Sequence, residues 1–206
     1  MNTPRSFMAR TGLLLVSLVF VAGCAGKQVT RIDPNSVTDL SGRWNDTDSR
    51  LVANALIEQS LGNPWAARYA SVHGGQSPTV IVGEFANRSH EHIPVGTFIR
   101  DLEAAFINSG AVRVVASRDE RQEVRAERDD QQDHARADTR ARMAQELGAQ
   151  YMMQGDIQTI TDREGRETVV YYQIDARMVD LETNEKVWTG QHRIKKYIER
   201  SRLGWD

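Results

Sequence analysis

The chain has 206 residues, of which 26 are basic and 28 acidic, and this balance gives no sign of nucleic-acid binding, which needs a clustered basic surface. At 40% hydrophobic and 26% charged residues it can bury a core of its own, and its length suits one domain with tails. A single cysteine, Cys24, excludes an intramolecular disulfide and a cysteine-rich metal site.

Residues 1–23 have the pattern of an export signal. Arg5 and Arg10 precede an apolar run of about ten residues, which small residues and then Cys24 follow. The run is about half of the roughly 20 apolar residues with which a helix spans a bilayer. The pattern therefore predicts an export signal that is removed from the mature protein.

The end of this signal resembles a bacterial lipobox. It reads Val21-Ala22-Gly23-Cys24, and in a lipobox the cysteine becomes the mature N-terminus and carries the lipid. The alternative is an ordinary signal peptide that happens to contain a cysteine. We predict cleavage between Gly23 and Cys24 and lipidation of Cys24, which leaves no thiol to act as a nucleophile.

Residues 24–45 are predicted to be the lipidated N-terminus and a short tether. No hydrophobic period is sustained between residues 25 and 45, and Pro34 and Gly42 interrupt the segment. Trp44 is the residue through which an arm of this segment could dock on the domain. The globular domain is predicted over residues 46–198 and a C-terminal tail over residues 199–206.

The first half of the predicted domain contains a strand–helix–strand unit. Residues 79–85 are a short apolar run typical of a strand buried on both faces, and residues 112–116 form the second strand. Between them Pro94 opens a helix with an apolar stripe, which Gly110 ends. Such a unit implies parallel strands and a right-handed crossover. A helix over residues 46–61 precedes it, capped by Asp46 or Thr47 and stopped by Gly62-Asn63-Pro64.

The second half begins with charged residues and ends with long strands. Residues 118–133 predict a solvated helix with a loop at residues 129–133, and apolar positions from Ala137 to Leu147 predict another helix. Three strands follow, and turns at residues 162–166 and 182–185 join them: residues 151–161, 170–178 and 186–194. Alternation along the middle strand is typical of one wet face in an antiparallel edge region.

The predicted order is therefore α-β-α-β-α-α-β-β-β. This order predicts a single α/β domain with a mixed sheet of about five strands flanked by helices. The sequence has no nucleophile elbow, no phosphate-binding loop and no His-Glu-x-x-His motif. We accordingly predict no enzyme and no cofactor.

His90-Glu91-His92 is the segment closest to chemistry. It offers three possible metal ligands, but neighbouring residues of an extended loop point apart, and a metal site needs three or four ligands that converge. The alternative is a polar connection between a strand and a helix, with Glu91 near a helix N-terminus that favours negative charge. We therefore predict no metal site.

Other candidates have ordinary structural explanations. The charged residues 118–142 could dock an oppositely charged partner, but a solvated helix face with pairs four residues apart also explains them. Asp129-Asp130 lacks the apolar setting that would raise a pKa. Three tryptophans are interpreted as anchors in the core or the tail: Trp65, Trp188 and Trp205. Trp205 could also contact a partner.

Four segments, taken in order, carry a family resemblance. They are residues 39–48, residues 80–83 with 87–93, residues 144–155 and residues 179–188. With the lipobox, they make the chain resemble the family of the penicillin-binding-protein activator LpoB across nearly the whole mature chain. A Leu-Gly-Ala followed by a strand that ends in Gly is shared with the curli-secretion lipoprotein CsgG, so it is the order of the segments that indicates the LpoB family.

The resemblance implies an outer-membrane lipoprotein on the periplasmic side, which is not an enzyme. It implies that the protein stimulates a class A penicillin-binding protein, a bifunctional peptidoglycan synthase, by docking on an accessory domain of that synthase. The implied fold is a mixed sheet flanked by helices, as in LpoB and CsgG periplasmic domains. Ala25 after the cysteine fits the outer-membrane destination seen in enteric bacteria. The resemblance leaves the partner-binding residues unassigned.

The tether departs from the family pattern. Enteric LpoB proteins have a long, Pro-rich tether, whereas here residues 25–45 alone separate lipid and domain. Fully extended at roughly 3.5 Å per residue, this segment reaches about 70 Å. As a flexible coil it averages about 25 Å. Activation of a synthase in the inner membrane therefore requires a narrow periplasm or a partner that projects outward.

Two other hypotheses stay open. One is a secretion or assembly lipoprotein like CsgG, or a general envelope scaffold. The short connections between elements disfavour it, because they cannot supply additional membrane strands of roughly ten residues. The other is an enzyme that uses His90 or His92, which predicts bound metal in the purified protein.

Overall fold

The computed structural model describes residues 28–34, 36–134 and 148–200. Before Val37 the described residues contain one hydrogen-bonded turn, in which Ser36 donates to the carbonyl of Asp33. None of the helices in the described ranges has both the length and the apolar character that crossing a membrane requires. Several predicted features lie outside the described residues: the signal with Gly23 and Cys24, the helix at residues 137–147, and Trp205.

Four helices are described, and each begins where the local sequence permits it. They are α1 Asp46–Gly62, α2 Trp65–Val72, α3 Val95–Ser109 and α4 Arg118–His134. α1 starts with a capping box, in which the side chain of Asn45 accepts from the N–H of Asp48 and the Asp48 carboxylate accepts from the N–H of Asn45. The cap is thus Asn45 and not the predicted Asp46 or Thr47. α3 ends at Gly110, which adopts the left-handed conformation at φ 66°, as predicted.

The strands form a mixed, five-stranded sheet in the order β2-β1-β3-β4-β5. The strands are β1 Thr79–Asn87, β2 Arg113–Val114, β3 Tyr151–Glu164, β4 Glu167–Asp180 and β5 Lys186–Glu199. β1 is parallel to both β2 and β3, whereas β3, β4 and β5 are antiparallel. The predicted α/β class and the mixed sheet are therefore confirmed.

The hydrophobic core lies on one face of the sheet. α1 contacts β5, α3 contacts β1, and the two helices contact each other. Apolar side chains alternate along β3 and β4 and bury toward these helices, among them Met153, Ile157, Tyr172, Ile174 and Met178. The intervening side chains of β4 are only partly buried, as the predicted wet face requires.

Two helices differ from the prediction. α2 is missing from the predicted order, in which Gly62-Asn63-Pro64 only ends the preceding helix. Pro64 is also the N-cap residue of α2, and a helix start tolerates proline because it needs no N–H there. α4 continues through residues 129–133, where a loop was predicted, because neither Gly nor Pro interrupts it and Gln131 donates to Glu127 one turn earlier at 2.8 Å.

The long strands extend beyond their predicted ends. β3 continues to Glu164 and β4 begins at Glu167, so the predicted five-residue turn is a two-residue turn with Gly165 at φ 56°. β5 continues to Glu199, whereas β2 is only two residues long. β4 is an interior strand and β5 is the edge, so the predicted edge position of the middle strand is wrong.

Candidate partner-binding site

Residues 39–45, called the N-terminal arm below, pack against the domain through Trp44. The indole ring makes edge contacts with the rings of Tyr172 and Phe98, at centroid distances of 5.6 and 6.4 Å. Its N–H donates to Oγ of Ser49 at 2.8 Å, so the polar end of the ring has a partner as well. Docking of the arm through Trp44 is therefore confirmed.

Lys196 on β5 binds both the same arm and the first turn of α1 through charged contacts. Its Nζ lies 2.6 Å from Oδ2 of Asp48 and 2.7 Å from Oδ1 of Asp39, and it donates to the carbonyl of Arg43 at 3.0 Å. Burial lowers the pKa of Lys196, but the hydrogen bonds to Asp39 and Asp48 and the negative charges of these residues together raise that pKa by more, so its ammonium group stays charged. The hydrogen bond from Lys196 lowers the pKa of Asp39.

The loop with His90, Glu91 and His92 contacts the arm through Glu91. One carboxylate oxygen accepts from the N–H of Trp44 at 3.1 Å and the other from the hydroxyl of Tyr172 at 2.8 Å. Burial first, and then this hydrogen bond, raise the pKa of Tyr172, which keeps the hydroxyl a donor. Within the described ranges, no group of three or more His, Cys, Asp or Glu side chains is arranged to hold a metal ion.

A cleft of about 580 Å³ lies between the arm, this loop and the ends of the long strands. Its floor includes Val170 and Ile198. Five of its lining residues are basic: Arg43, His90, His92, Arg163 and Arg200. We call the site the cationic cleft. In the described part of the chain, none of these five side chains forms an ion pair or a hydrogen bond.

The register of the β3–β4–β5 strands explains why basic side chains collect in the cleft. Arg163 pairs with Thr168, and Thr168 pairs with Ile198, so these residues share the face that also carries Val170. The neighbouring acidic residues Glu164, Glu167 and Glu199 alternate with them and belong to the opposite face. The carboxylate of Glu167 accepts there from the hydroxyl of Tyr197. At this end of the sheet, alternation therefore places Arg163 and these three glutamates on opposite faces.

The other candidates lie away from this site. Trp65 and Trp188 are buried in the core, as predicted, and the indole of Trp65 donates to the carbonyl of Ser60 at 2.9 Å. Asp129 and Asp130 are exposed on α4. Up to His134 the charged stretch is the predicted solvated helix.

Sequence reasoning missed the three arginines of the cleft. Arg43 was assigned to the tether, Arg163 to a turn and Arg200 to the tail, so none of them was considered as part of a site. The signal that could have found one of them, Arg163, is the alternation of sign along residues 162–164, because a strand with that pattern has a basic face and an acidic face.

A match to a family model shows which protein family the chain belongs to. The model of the family described as peptidoglycan-synthase activator LpoB matches residues 48–194, which is more than half of the chain and includes all five strands in whole or in part. The chain belongs to the LpoB family. The match includes His90, His92 and Arg163 of the cleft, whereas the N-terminal arm and Arg200 of this LpoB-family chain lie outside it.

Solved structures with a similar arrangement include members of the same family. The LpoB C-terminal domain from Salmonella enterica is 14% identical, with 72% of this chain and 99% of that chain covered and a TM-score of 0.41. The E. coli LpoB structure is 12% identical, with 87% and 85% covered and a TM-score of 0.40. Lipoprotein GNA1162 from Neisseria meningitidis is 20% identical, with 58% and 83% covered and a TM-score of 0.37. A comparison with curated proteins gives no match.

Proposed function

We propose that this chain is a lipoprotein, anchored to the outer membrane through Cys24, that binds and activates a class A penicillin-binding protein. The family match over residues 48–194 carries the proposal, because the family is that of peptidoglycan-synthase activators. The proposal includes the class A enzyme as the partner, the lipid on Cys24 and the outer membrane. They are supported by the lipobox and by the order of the family segments in the sequence.

The site geometry supports a role in binding. Lys196 and Glu91 bind the arm and Trp44 packs on the core, so these three residues hold the arm on the domain. Five basic side chains beside them remain available to a partner. A regulatory protein needs such a preformed surface, and regulation is the role of the family to which the chain belongs.

The direct test uses the lipidated, full-length protein in detergent. It is incubated with each class A synthase of the same cell, and both binding and glycan polymerisation are measured. We expect binding of one synthase and faster polymerisation by it. A Cys24→Ala variant, which cannot be lipidated, is expected to stimulate the synthase in detergent but to leave the membrane fraction of cells.

Two results would contradict the proposal. Absence of both binding and stimulation for every class A synthase would remove the role as activator. A large ring in the detergent extract would instead favour the secretion or assembly function. Mass spectrometry of the N-terminal peptide decides separately whether Cys24 carries lipid.

A further inference from the structure

We infer that the cationic cleft is a binding site for an acidic segment of the partner protein. The identity of that partner, the synthase, rests on the proposed function. The chemistry of binding rests only on the cleft, which is assembled from the N-terminal arm, the loop between β1 and α3, and the ends of β3 and β5.

The charge of the cleft is uncompensated within the described part of the chain. Among the described residues of the lining, Glu91 is the one acidic side chain, and its two carboxylate oxygens already accept hydrogen bonds from Trp44 and Tyr172. The guanidinium groups of Arg43, Arg163 and Arg200 have no acidic partner there. Guanidinium groups pair with carboxylates through two parallel hydrogen bonds, so carboxylates are the groups that this lining favours.

Around Asp175, the polar groups on the opposite face of the sheet are paired with one another. Nη1 of Arg177 lies 3.9 Å from Oδ2 of Asp156 on that face. Asp175 accepts hydrogen bonds there from the side chains of Gln173 and Gln191, at 2.8 and 2.6 Å. Because these polar groups satisfy one another, an acidic partner gains less by displacing them than by entering the cleft.

The backbone around the cleft is fixed before any partner arrives. The N–H of Arg200 donates to the carbonyl of Arg166 at 3.2 Å and extends the pairing of the hairpin to the edge of the cleft. Arg43 is held through its carbonyl by Lys196 and through its neighbour Trp44 by the core. A preorganised site of this kind loses less conformational entropy on binding.

The size and lining of the cleft favour a peptide over a glycan. A volume of about 580 Å³ accommodates a few side chains. Hydroxyl groups of Ser41, Thr161 and Thr168 lie between the basic residues and can donate to carboxylates or to a peptide backbone. Among the described residues of the lining there is no Trp, Tyr or Phe ring on which a sugar could stack. We therefore assign the cleft to an acidic peptide segment.

The test compares two double variants of the full-length, lipidated protein in detergent. Arg163→Gln with Arg200→Gln removes two positive charges from the cleft. Arg193→Gln with Lys195→Gln removes two exposed charges from the other face of β5 and is the matched control.

A labelled hexaglutamate peptide is the probe. We expect the cleft variant to bind it about tenfold or more weakly, and the control variant to bind it as the wild type does. Equal urea midpoints check that both variants are folded.

The same two variants, tested with the class A synthase, separate the two proposals. A synthase that binds the control variant like the wild type and the cleft variant about tenfold more weakly supports the inference. Equal binding of the synthase and of hexaglutamate to both variants overturns the inference and leaves the proposed function standing. If no synthase binds the wild type, the proposed function fails and hexaglutamate alone decides the cleft. Soluble muropeptides and unlabelled glutamate peptides are then compared as competitors of labelled hexaglutamate. If the muropeptides displace it at a lower concentration than the glutamate peptides do, the assignment to a protein segment is overturned.

Discussion

At the scale of single residues, Lys196 connects the arm to the domain. Its side chain is 10% exposed and that of Asp48 is 7% exposed, so this ion pair is largely removed from water. A buried pair of this kind adds less to stability than its short distance suggests, because both charges lose hydration. Removal of one partner is costly, however, since it leaves the other charge buried without compensation.

We predict that Lys196→Met destabilises the protein by about 3 kcal/mol, because the buried carboxyl group of Asp48 then loses its charged partner. Urea denaturation measures the loss. Lys195→Met is the matched control, since Lys195 is exposed on the other face of the same strand, and its effect should stay below about 0.5 kcal/mol. Adding Asp48→Asn to Lys196→Met should recover part of the loss. Equal effects of the two lysine variants would show that the ion pair does not hold the arm.

The same cluster predicts a pH dependence. The pKa of Asp39 is lowered from its ordinary 3.8, so its contribution is present above that value and is lost as the pH falls through the folded pKa. The pKa of Lys196 is raised from its ordinary 10.5, so its contribution is present below that value and is lost as the pH rises through the folded pKa. The stability difference between wild type and Lys196→Met should therefore be constant from about pH 5 to pH 9 and narrow at both ends. A difference that does not vary with pH would contradict this assignment.

At the scale of elements, the close approach of β1, β3 and β4 depends on Gly155. The pairing of β1 with β3 shifts between Val82 and Phe85, and the shift places Phe85 opposite Gly155. A Cβ atom on Gly155 would overlap the carbonyl oxygen of Asp175 and lie 2.5 Å from Cε1 of Phe85. Because the first of these atoms belongs to the backbone of a central strand, it cannot move aside without disrupting the sheet.

We predict that Gly155→Ala destabilises the domain by about 3 kcal/mol, because the added methyl group overpacks the sheet. Gly62→Ala provides the matched control: a Cβ atom there has no neighbour within 4 Å, and the residue ends α1. That variant should change stability by less than about 1 kcal/mol and in the stabilising direction. Thermal or urea unfolding of the two variants side by side makes the comparison. Similar stabilities would mean that the strands can separate enough to admit a methyl group.

The elements that sequence predicts well are those with an apolar period. The apolar alternation from Val170 to Met178 and the apolar stripe of α3 each define one face of the element that can be buried in the core. The errors fall where that period is absent. The polar ends of β3 and β5 extend past the core, so pairing with β4, and not burial, determines where they stop. In α4, charge alone gave no indication of the helix end.

The cationic cleft illustrates a different limit of sequence. Arg43, Arg163 and Arg200 are distant in the chain, and two long-range events bring them together: the register of the three long strands and the docking of Trp44. Local patterns can indicate that Trp44 docks and that β3 has two faces. They do not give the pairing partner of each residue, so they do not show which basic side chains meet.

At the scale of the whole molecule, docking of the arm bears on the reach of the proposed lipid anchor. The sequence counts residues 25–45 as tether, but residues 39–45 contact the domain through Asp39, Gly42 and Trp44. If Cys24 carries the lipid, only residues 25–38 are then available to span the distance to a partner. Fully extended, they reach about 50 Å, and as a coil they average about 20 Å.

We predict that deletion of residues 28–36 lowers activity in cells, because it removes about 30 Å of maximal reach. In detergent solution the same variant should stimulate the synthase as the wild type does, since it retains the domain, the arm and Lys196. A second variant, with about 30 Gly and Ser residues inserted between Ser36 and Val37, controls for disturbance of the segment and should be at least as active in cells as the wild type. Incorporation of labelled peptidoglycan precursor, in cells that depend on this activator, measures both variants. Full activity of the deletion variant in cells would show that the distance between the lipid and the domain does not limit access to the partner.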